Sequence, residues 1–191
     1  MVTDSRPLRA GGLCLKMSGK RCHLTTPLEQ RGHAWTMAAT VVCMRTFEPD
    51  WFFELLEKHQ ITHFGGAPII LSMLVNAAKE KQKKFATPIQ VMTAGAPPPA
   101  AVLQSMSAFG FEVMHVYGLT ESYGHILQVA PQLSWRDESQ ESQAELKSRP
   151  GVRFAMTEAV DVLDVDSGQP VPHDGQAMGE IVIRGNTLMK G

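Results

Sequence analysis

Apolar positions along this chain recur with two different periods, and the switch between them outlines the fold. From about His33 onward the pattern is orderly. Pro49 stands where a first helical turn tolerates proline, and Phe52, Leu55, Leu56 and His59 then fall on one helical face. A short strand, Ile61-Thr62-His63-Phe64, runs into Gly65-Gly66-Ala67-Pro68. The following helix carries Ile70, Leu74, Ala77 and Ala78 on its apolar face and ends in a lysine-rich, solvated stretch over 79–84. The cycle repeats with a strand over 89–93, the exit loop Ala94-Gly95-Ala96-Pro97, and a helix from Pro99 that buries Leu103, Met106 and Phe109. A third strand over 111–117 closes on Gly118-Leu119-Thr120-Glu121. Strands alternating with helices in this way predict right-handed βαβ units and a parallel sheet in a three-layer α/β core over about 47–130.

Beyond this region the character changes. The polar stretch over 135–149 predicts an exposed helix. Residues 160–165 alternate apolar and acidic side chains as a half-exposed strand does, Asp166-Ser167-Gly168-Gln169 reads as a turn, and Glu180-Ile181-Val182-Ile183-Arg184 as a further strand. The C-terminal part is therefore expected to be β-rich and antiparallel. Residues 1–31 show no clear periodicity and read as loop or misfit sequence that packs poorly. The division is thus 1–31 as an N-terminal segment, 32–150 as an α/β unit and 151–191 as a β-rich unit.

Bulk properties narrow the function classes. The 191 residues suffice for one sizeable core, and 43% hydrophobic with 19% charged residues fits a globular chain. A formal net charge of −1 gives no general attraction to nucleic acid or anionic membranes, so nucleotide binding has to come from a local site. No apolar run reaches the ~20 residues needed to span a bilayer. The first 31 residues hold six Lys/Arg and two acids, a bias that faintly resembles a transit peptide. Cys14, Cys22 and Cys43 are an odd, sparse set with loose spacing, which favours free thiols in a reducing compartment over a disulfide or zinc. The expected location is cytoplasmic, with an organellar one open.

Three loops, Gly65 to Pro68, Ala94 to Pro97 and Gly118 to Glu121, each follow the carboxyl end of a predicted strand, where ligands of open α/β sheets bind. Glycine admits close approach of a ligand to the backbone. Tyr117 offers an aromatic face for a purine, Thr120 a hydroxyl for a phosphate oxygen, and Glu121 a carboxylate. A carboxylate beside phosphate makes sense with a bridging cation such as Mg²⁺. The same residues also serve as a core strand and ordinary strand-to-helix turns, and composition does not separate the two readings.

Tyr117-Gly118-Leu119-Thr120-Glu121 resembles the Y-G-x-T-E motif of adenylate-forming enzymes, which include acyl-CoA synthetases, luciferases and peptide-synthetase adenylation domains. Thr93 to Pro99 is similar to that family's adenine-side loop, Gly179 to Gly185 to its G-E-[IL]-x-x-x-G strand, and Thr62 to Pro68 to its acyl-pocket segment. Four motifs in order over roughly 33–191 make the resemblance specific. It implies part of the N-terminal domain of such an enzyme, with ATP, Mg²⁺ and coenzyme A as cofactor and co-substrates. The implied reaction joins a carboxylic acid to AMP, releasing pyrophosphate, and coenzyme A then displaces AMP. By the same resemblance Tyr117 stacks on adenine, the backbone of Gly95, Ala96 and Pro97 lines the base, Gly118 also belongs to the cofactor-binding residues, Thr120 contacts the α-phosphate, and Glu121 helps hold Mg²⁺. Gly65, Gly66 and Ala67 border the acyl pocket, and the small side chains there suggest an alkyl chain. Residues 113–117, 178–180 and 189–191 read like short- and medium-chain fatty acid–CoA ligases.

The chain departs from the family pattern in several places. No Ser/Thr/Gly-rich phosphate loop occurs, and Leu28-Glu29-Gln30-Arg31 stands where a Phe-His pair is usual. The ribose-binding aspartate, the hinge and the C-terminal domain with its catalytic lysine do not follow. The expectation is a fragment, inactive or nearly so alone, with a frame disruption or misassigned start near residue 31 explaining the N-terminal segment. A non-catalytic nucleotide- or acyl-binding module remains the alternative. A dinucleotide-binding oxidoreductase is disfavoured because no G-x-G-x-x-G occurs.

Overall fold

The computed structural model of the chain describes residues 2–3, 13–18, 21–25, 39–44, 46–81, 84–85 and 87–190. Among these residues nine strands form one sheet: β1 (Val2–Thr3), β2 (Leu13–Ser18), β3 (Arg21–Thr25), β4 (Ala39–Met44), β5 (His63–Gly65), β6 (Ile89–Thr93), β7 (Phe111–Leu119), β8 (Gly124–Gln128) and β9 (Val152–Arg153). Their spatial order is β1-β4-β2-β3-β5-β6-β7-β8-β9. The central run β3-β5-β6-β7 is parallel, and β8 and β9 add antiparallel strands at one side. A separate two-stranded antiparallel sheet pairs β10 (Ala159–Leu163) with β11 (Glu180–Arg184). This is the α/β architecture with a following β-rich unit that the two periodicities predict.

The helices α1 (Pro49–Lys58), α2 (Pro68–Lys81), α3 (Ala100–Ala108) and α4 (Gln140–Ser148) each contact the next along the sheet. Their apolar stripes meet one face of the strands. Phe52, Phe53, Leu55 and Leu56 from α1, Leu71, Leu74 and Val75 from α2 and Met106 from α3 share a core with Phe64, Ile89, Val91 and Phe111. The alternate positions Gln90 and Glu112 lie on the opposite face, exposed, with the Gln90 amide donating to the Glu112 carboxylate. Among the described residues the unit therefore has two layers and not the three expected, because successive right-handed crossovers between adjacent strands in the order β5-β6-β7 all return over the same face.

Several local expectations shift. The strand expected over 61–64 begins two residues late, at His63, since Ile61 turns into the core from the helix exit. In α2 the buried face is Leu71, Leu74, Val75 and the expected Ala77, with Ile70 only half-buried; the side chain of Ala78 and most of the 79–84 run lie outside the described residues. The polar stretch over 135–149 is a 3-10 turn, Leu133–Asp137, followed by α4, whose start is fixed by the Ser139 hydroxyl accepting from the Ser142 N–H at 3.1 Å. Ala144 of α4 is buried, so this helix is packed on one side and not wholly exposed.

The loop reading of 1–31 does not hold for 13–18 and 21–25. There β2 and β3 form an antiparallel pair with Leu15 opposite Leu24, and β2 also pairs with β4. Leu13, Leu15 and Met17 do alternate with Cys14, Lys16 and Ser18, which is a strand period too short to stand out beside its polar surroundings. The side chains of Cys14, Cys22 and Cys43, and with them the expectation of free thiols, lie outside the described residues. No helix among the described residues is long and apolar enough to cross a membrane.

Candidate functional site

The site is built by the register of three parallel strands. His63, Phe64 and Gly65 pair with Gln90, Val91 and Met92, and Ile89 through Thr93 pair with Phe111 through His115. The carboxyl ends of β5, β6 and β7 consequently share one edge, and the three glycine-containing loops leave from it. The first continues the ladder by one bond, from the Gly66 N–H to the Met92 carbonyl at 3.0 Å. Gly65 and Gly66 are buried and Ala67 is exposed. A Cβ on Gly66 would meet Ile70 at 3.3 Å, so the small residue there lets the chain enter α2 closely.

In the second loop Ala94, Gly95, Ala96 and Pro97 are all exposed. Gly95 has φ +98 and nothing within 4 Å of where a Cβ would lie. Its glycine is required by backbone conformation, and the space above it is open to a ligand. Just before it, the buried Thr93 hydroxyl has no hydrogen-bond partner. Its cross-strand mate His115 is buried with Nδ1 at 3.1 and 3.0 Å from the carbonyls of Ser148 and Arg149, which makes Nδ1 the protonated nitrogen. That pair of bonds ties the end of α4 to β7.

The third loop depends on a change of partner. Up to His115, β7 pairs in parallel with β6; from Val116 it pairs antiparallel with β8, with a register shift between Tyr117 and Gly118. Both His115 and Val116 are buried, the break in alternation expected where a strand passes from one neighbour's layer to another's. At Gly118 a Cβ would lie 2.2 Å from the Gly124 carbonyl oxygen and 2.6 Å from the His125 Cα. The missing side chain of Gly118 is thus explained by the close approach of β8. Tyr117 and Gly118 are half-buried, whereas Leu119, Thr120 and Glu121 are exposed. Glu121 is exposed, and its main-chain oxygen accepts from the Met189 N–H at 2.8 Å.

Thr120 and Glu121 begin a 3-10 turn, Thr120–Ser122, that ends at Tyr123 in a left-handed conformation with φ 52. Ser122, which the sequence did not flag, holds this turn. Its buried hydroxyl accepts from the Leu119 N–H at 2.9 Å and lies 2.9 Å from the Leu119 carbonyl and 2.7 Å from the Gly124 carbonyl. One hydroxyl hydrogen serves those two acceptors. Ser122→Ala leaves the Leu119 N–H and the carbonyls without that partner and is expected to cost about 1–3 kcal/mol, with the loss local to the turn. Faster amide exchange at Leu119 and Tyr123, with the core unchanged, is the outcome to look for; unchanged exchange at both would contradict the assigned role.

The sequence places these residues among known proteins. Residues 33–191 match the family described as AMP-binding enzyme, the span over which the four motifs run. A probable CoA ligase of Humulus lupulus is 43% identical over 163 residues, covering 84% of this chain and 29% of the relative. An acetate/butyrate–CoA ligase of Arabidopsis thaliana, named as peroxisomal, is 43% identical over 161 residues, covering 82% and 28%. The chain therefore spans less than a third of the length of these curated relatives. A long-chain-fatty-acid–CoA ligase structure from Archaeoglobus fulgidus superposes with a TM-score of 0.61 at 21% identity, covering 78% of this chain and 30% of that one. An O-succinylbenzoate coenzyme A synthetase from Bacillus subtilis, solved with ATP and magnesium ion, gives 0.59 at 20% identity, covering 77% and 27%. The two structures confirm the fold of the N-terminal domain of adenylate-forming enzymes, and the match over 33–191 together with the CoA ligase relatives makes this chain a member of the AMP-binding enzyme family.

Proposed function

We propose that this chain supplies the adenine-side and α-phosphate loops of an ATP-dependent acyl-CoA ligase acting on a short or medium alkyl carboxylic acid, and that alone it is inactive or nearly so. The observation carrying this reading is the shared edge of β5, β6 and β7, which sets the loops of Gly65, Gly95 and Thr120 side by side. Tyr117 stacks on adenine, the backbone of Gly95, Ala96 and Pro97 lines the base, and Gly118 and the Thr120 hydroxyl adjoin the α-phosphate. The exposed Glu121 carboxylate suits Mg²⁺, which keeps most of its waters and binds through one or two carboxylates plus substrate phosphates. When bound, the ion neutralises phosphate charge. Gly65, Gly66 and Ala67 border the acyl chain, and coenzyme A accepts the acyl group. A cytoplasmic or organellar site of action both fit this chemistry.

The sequence carries no Ser/Thr/Gly-rich phosphate loop. Loss of one donor aimed at developing charge typically slows such chemistry ~10²–10³-fold, which is why the chain alone is expected not to turn over. The expected result is measurable AMP binding by calorimetry, weakened about ten- to hundredfold by Tyr117→Ala as a stacking face is lost. No acid-dependent ATP–pyrophosphate exchange is expected with a panel of short and medium fatty acids. Acid-dependent exchange abolished by Glu121→Gln would overturn the inactivity. Absence of AMP binding would overturn the site. AMP binding by a full-length gene product that never exchanges pyrophosphate would favour the non-catalytic nucleotide-binding module.

A further inference from the structure

Strand β7 is fastened at one residue, His115, from three directions. His115 closes the parallel ladder with β6, opposite Thr93. Its carbonyl accepts from the Val129 N–H at 2.9 Å, where the chain leaves β8. Its buried ring reaches a third element, α4, with Nδ1 3.1 Å from the Ser148 carbonyl and 3.0 Å from that of Arg149. Carbonyls only accept, so Nδ1 carries a proton, and its one hydrogen is shared between the two. The last turn of a helix leaves its carbonyls without partners inside the helix, and a histidine can cap them. Here the cap comes from a strand, because the chain beyond α4 does not provide one. Pro150 has no N–H to give and holds the residue before it extended, as Arg149 is at φ −66 and ψ 156. Gly151 then runs the chain so close to β8 that a Cβ would collide with the main chain of Gln128.

The excursion from Val129 to Gly151 is therefore closed at its base on His115, two residues before Tyr117. Helix α4 packs on α3, and α3 begins at Ala100, shortly after the Gly95 loop. One imidazole thus joins the helices that follow the Gly95 loop to the strand that carries Tyr117. We propose that His115 is a positioning residue of the nucleotide site, which sets where Tyr117 stands by holding the end of β7 to α4. Its link to AMP rests on the adenine reading of Tyr117; the clasp itself does not. The donor has to sit at the Nδ1 position. The amide nitrogen of asparagine is attached to Cγ, as Nδ1 is, and carries two hydrogens, one for each carbonyl. The nitrogen of glutamine lies one atom further from the main chain, at the distance of Nε2, and overshoots.

Calorimetry with AMP, and amide hydrogen exchange without it, test this on the 191-residue chain and three variants. His115→Ala is expected to weaken AMP binding about tenfold. Exchange at Tyr117 and Val129 is expected to quicken about tenfold as well, with Phe64 and Val91 unchanged. His115→Asn is expected to restore both readings to within about twofold of the parent, although it melts below the parent because the packing of the ring is lost. His115→Gln is expected to behave like His115→Ala. If the ring served packing alone, His115→Asn would bind and exchange like His115→Ala, and that result overturns the proposal. So does a His115→Ala variant that matches the parent in both readings, or a His115→Gln variant that matches His115→Asn. If the parent binds no AMP, the adenine reading fails by itself, and exchange at Tyr117 and Val129 still decides whether His115 holds the strand. Should His115→Ala fail to fold, His115→Gln against His115→Asn makes the same comparison.

Discussion

Phe64→Ala is expected to lower the unfolding free energy by about 3–5 kcal/mol, the range for truncating a fully buried phenylalanine. Phe64 is 2% exposed and lies on β5 at the centre of the core. Its ring meets Phe52 of α1 at 5.0 Å and Phe111 of β7 at 5.6 Å, both edge to face. Removing it therefore leaves a hole between a helix and two strands and deletes two aromatic contacts worth about 0.5–1.5 kcal/mol each beyond burial. Domains of this size are stable by only about 5–15 kcal/mol, so the change is large in proportion. Urea unfolding measures it as a lower midpoint at unchanged slope. Glu112→Ala, on the exposed face of the same sheet, serves as the control and is expected to stay within about 0.5 kcal/mol. A Phe64→Ala loss below about 1 kcal/mol would mean that the neighbouring rings collapse into the space and that the core is looser than its burial implies.

Gly118→Ala should be the most damaging conservative change at the site. The new methyl would sit 2.2 Å from the Gly124 oxygen, and its neighbours are main-chain atoms that no rotamer change can move. Strands β7 and β8 would have to part, taking Tyr117 and the Thr120–Ser122 turn with them, at about 1–3 kcal/mol or more. AMP binding is expected to disappear together with a fall in melting temperature. Gly95→Ala provides the contrast. No atom crowds that position, so only the φ of +98 resists the substitution, at about 1–2 kcal/mol. If Gly118→Ala binds AMP and melts like the parent chain, the close approach of β8 is not what requires glycine there.

The sequence was most legible where local pattern and tertiary role agree. Ile89, Val91 and Thr93 alternate cleanly with Gln90 and Met92 because one face is covered and the other open, and β6 has the predicted bounds. The three loops were found because each follows such a strand. What escaped had partners far along the chain or elements too short for a period. Strand β8 has a single fully buried residue, Ile126, between half-buried neighbours, so no alternation marks it. Strands β2 and β3 gain their place from pairing with β4 and β5, which no window of the first 31 residues contains. Likewise, Tyr117, Thr120 and Glu121 stood out by motif, but the residue that shapes their turn, Ser122, looks like any loop serine until its three hydrogen bonds are seen.

The double pairing of β7 also separates the site in time. Its link to β6 closes only after the chain has passed through the whole of α3, a crossover that brings distant residues together slowly. Its link to β8 is a hairpin with Thr120–Ser122 at the tip, and hairpins form in about 1–10 μs. The turn bearing Thr120 and Glu121 can therefore take shape on the nascent chain from its own neighbours, while the Gly95 loop reaches its place beside Tyr117 only when the parallel strands dock. The two halves of the candidate nucleotide site thus have separate folding histories, and the edge they share is complete only after the slower one has arrived.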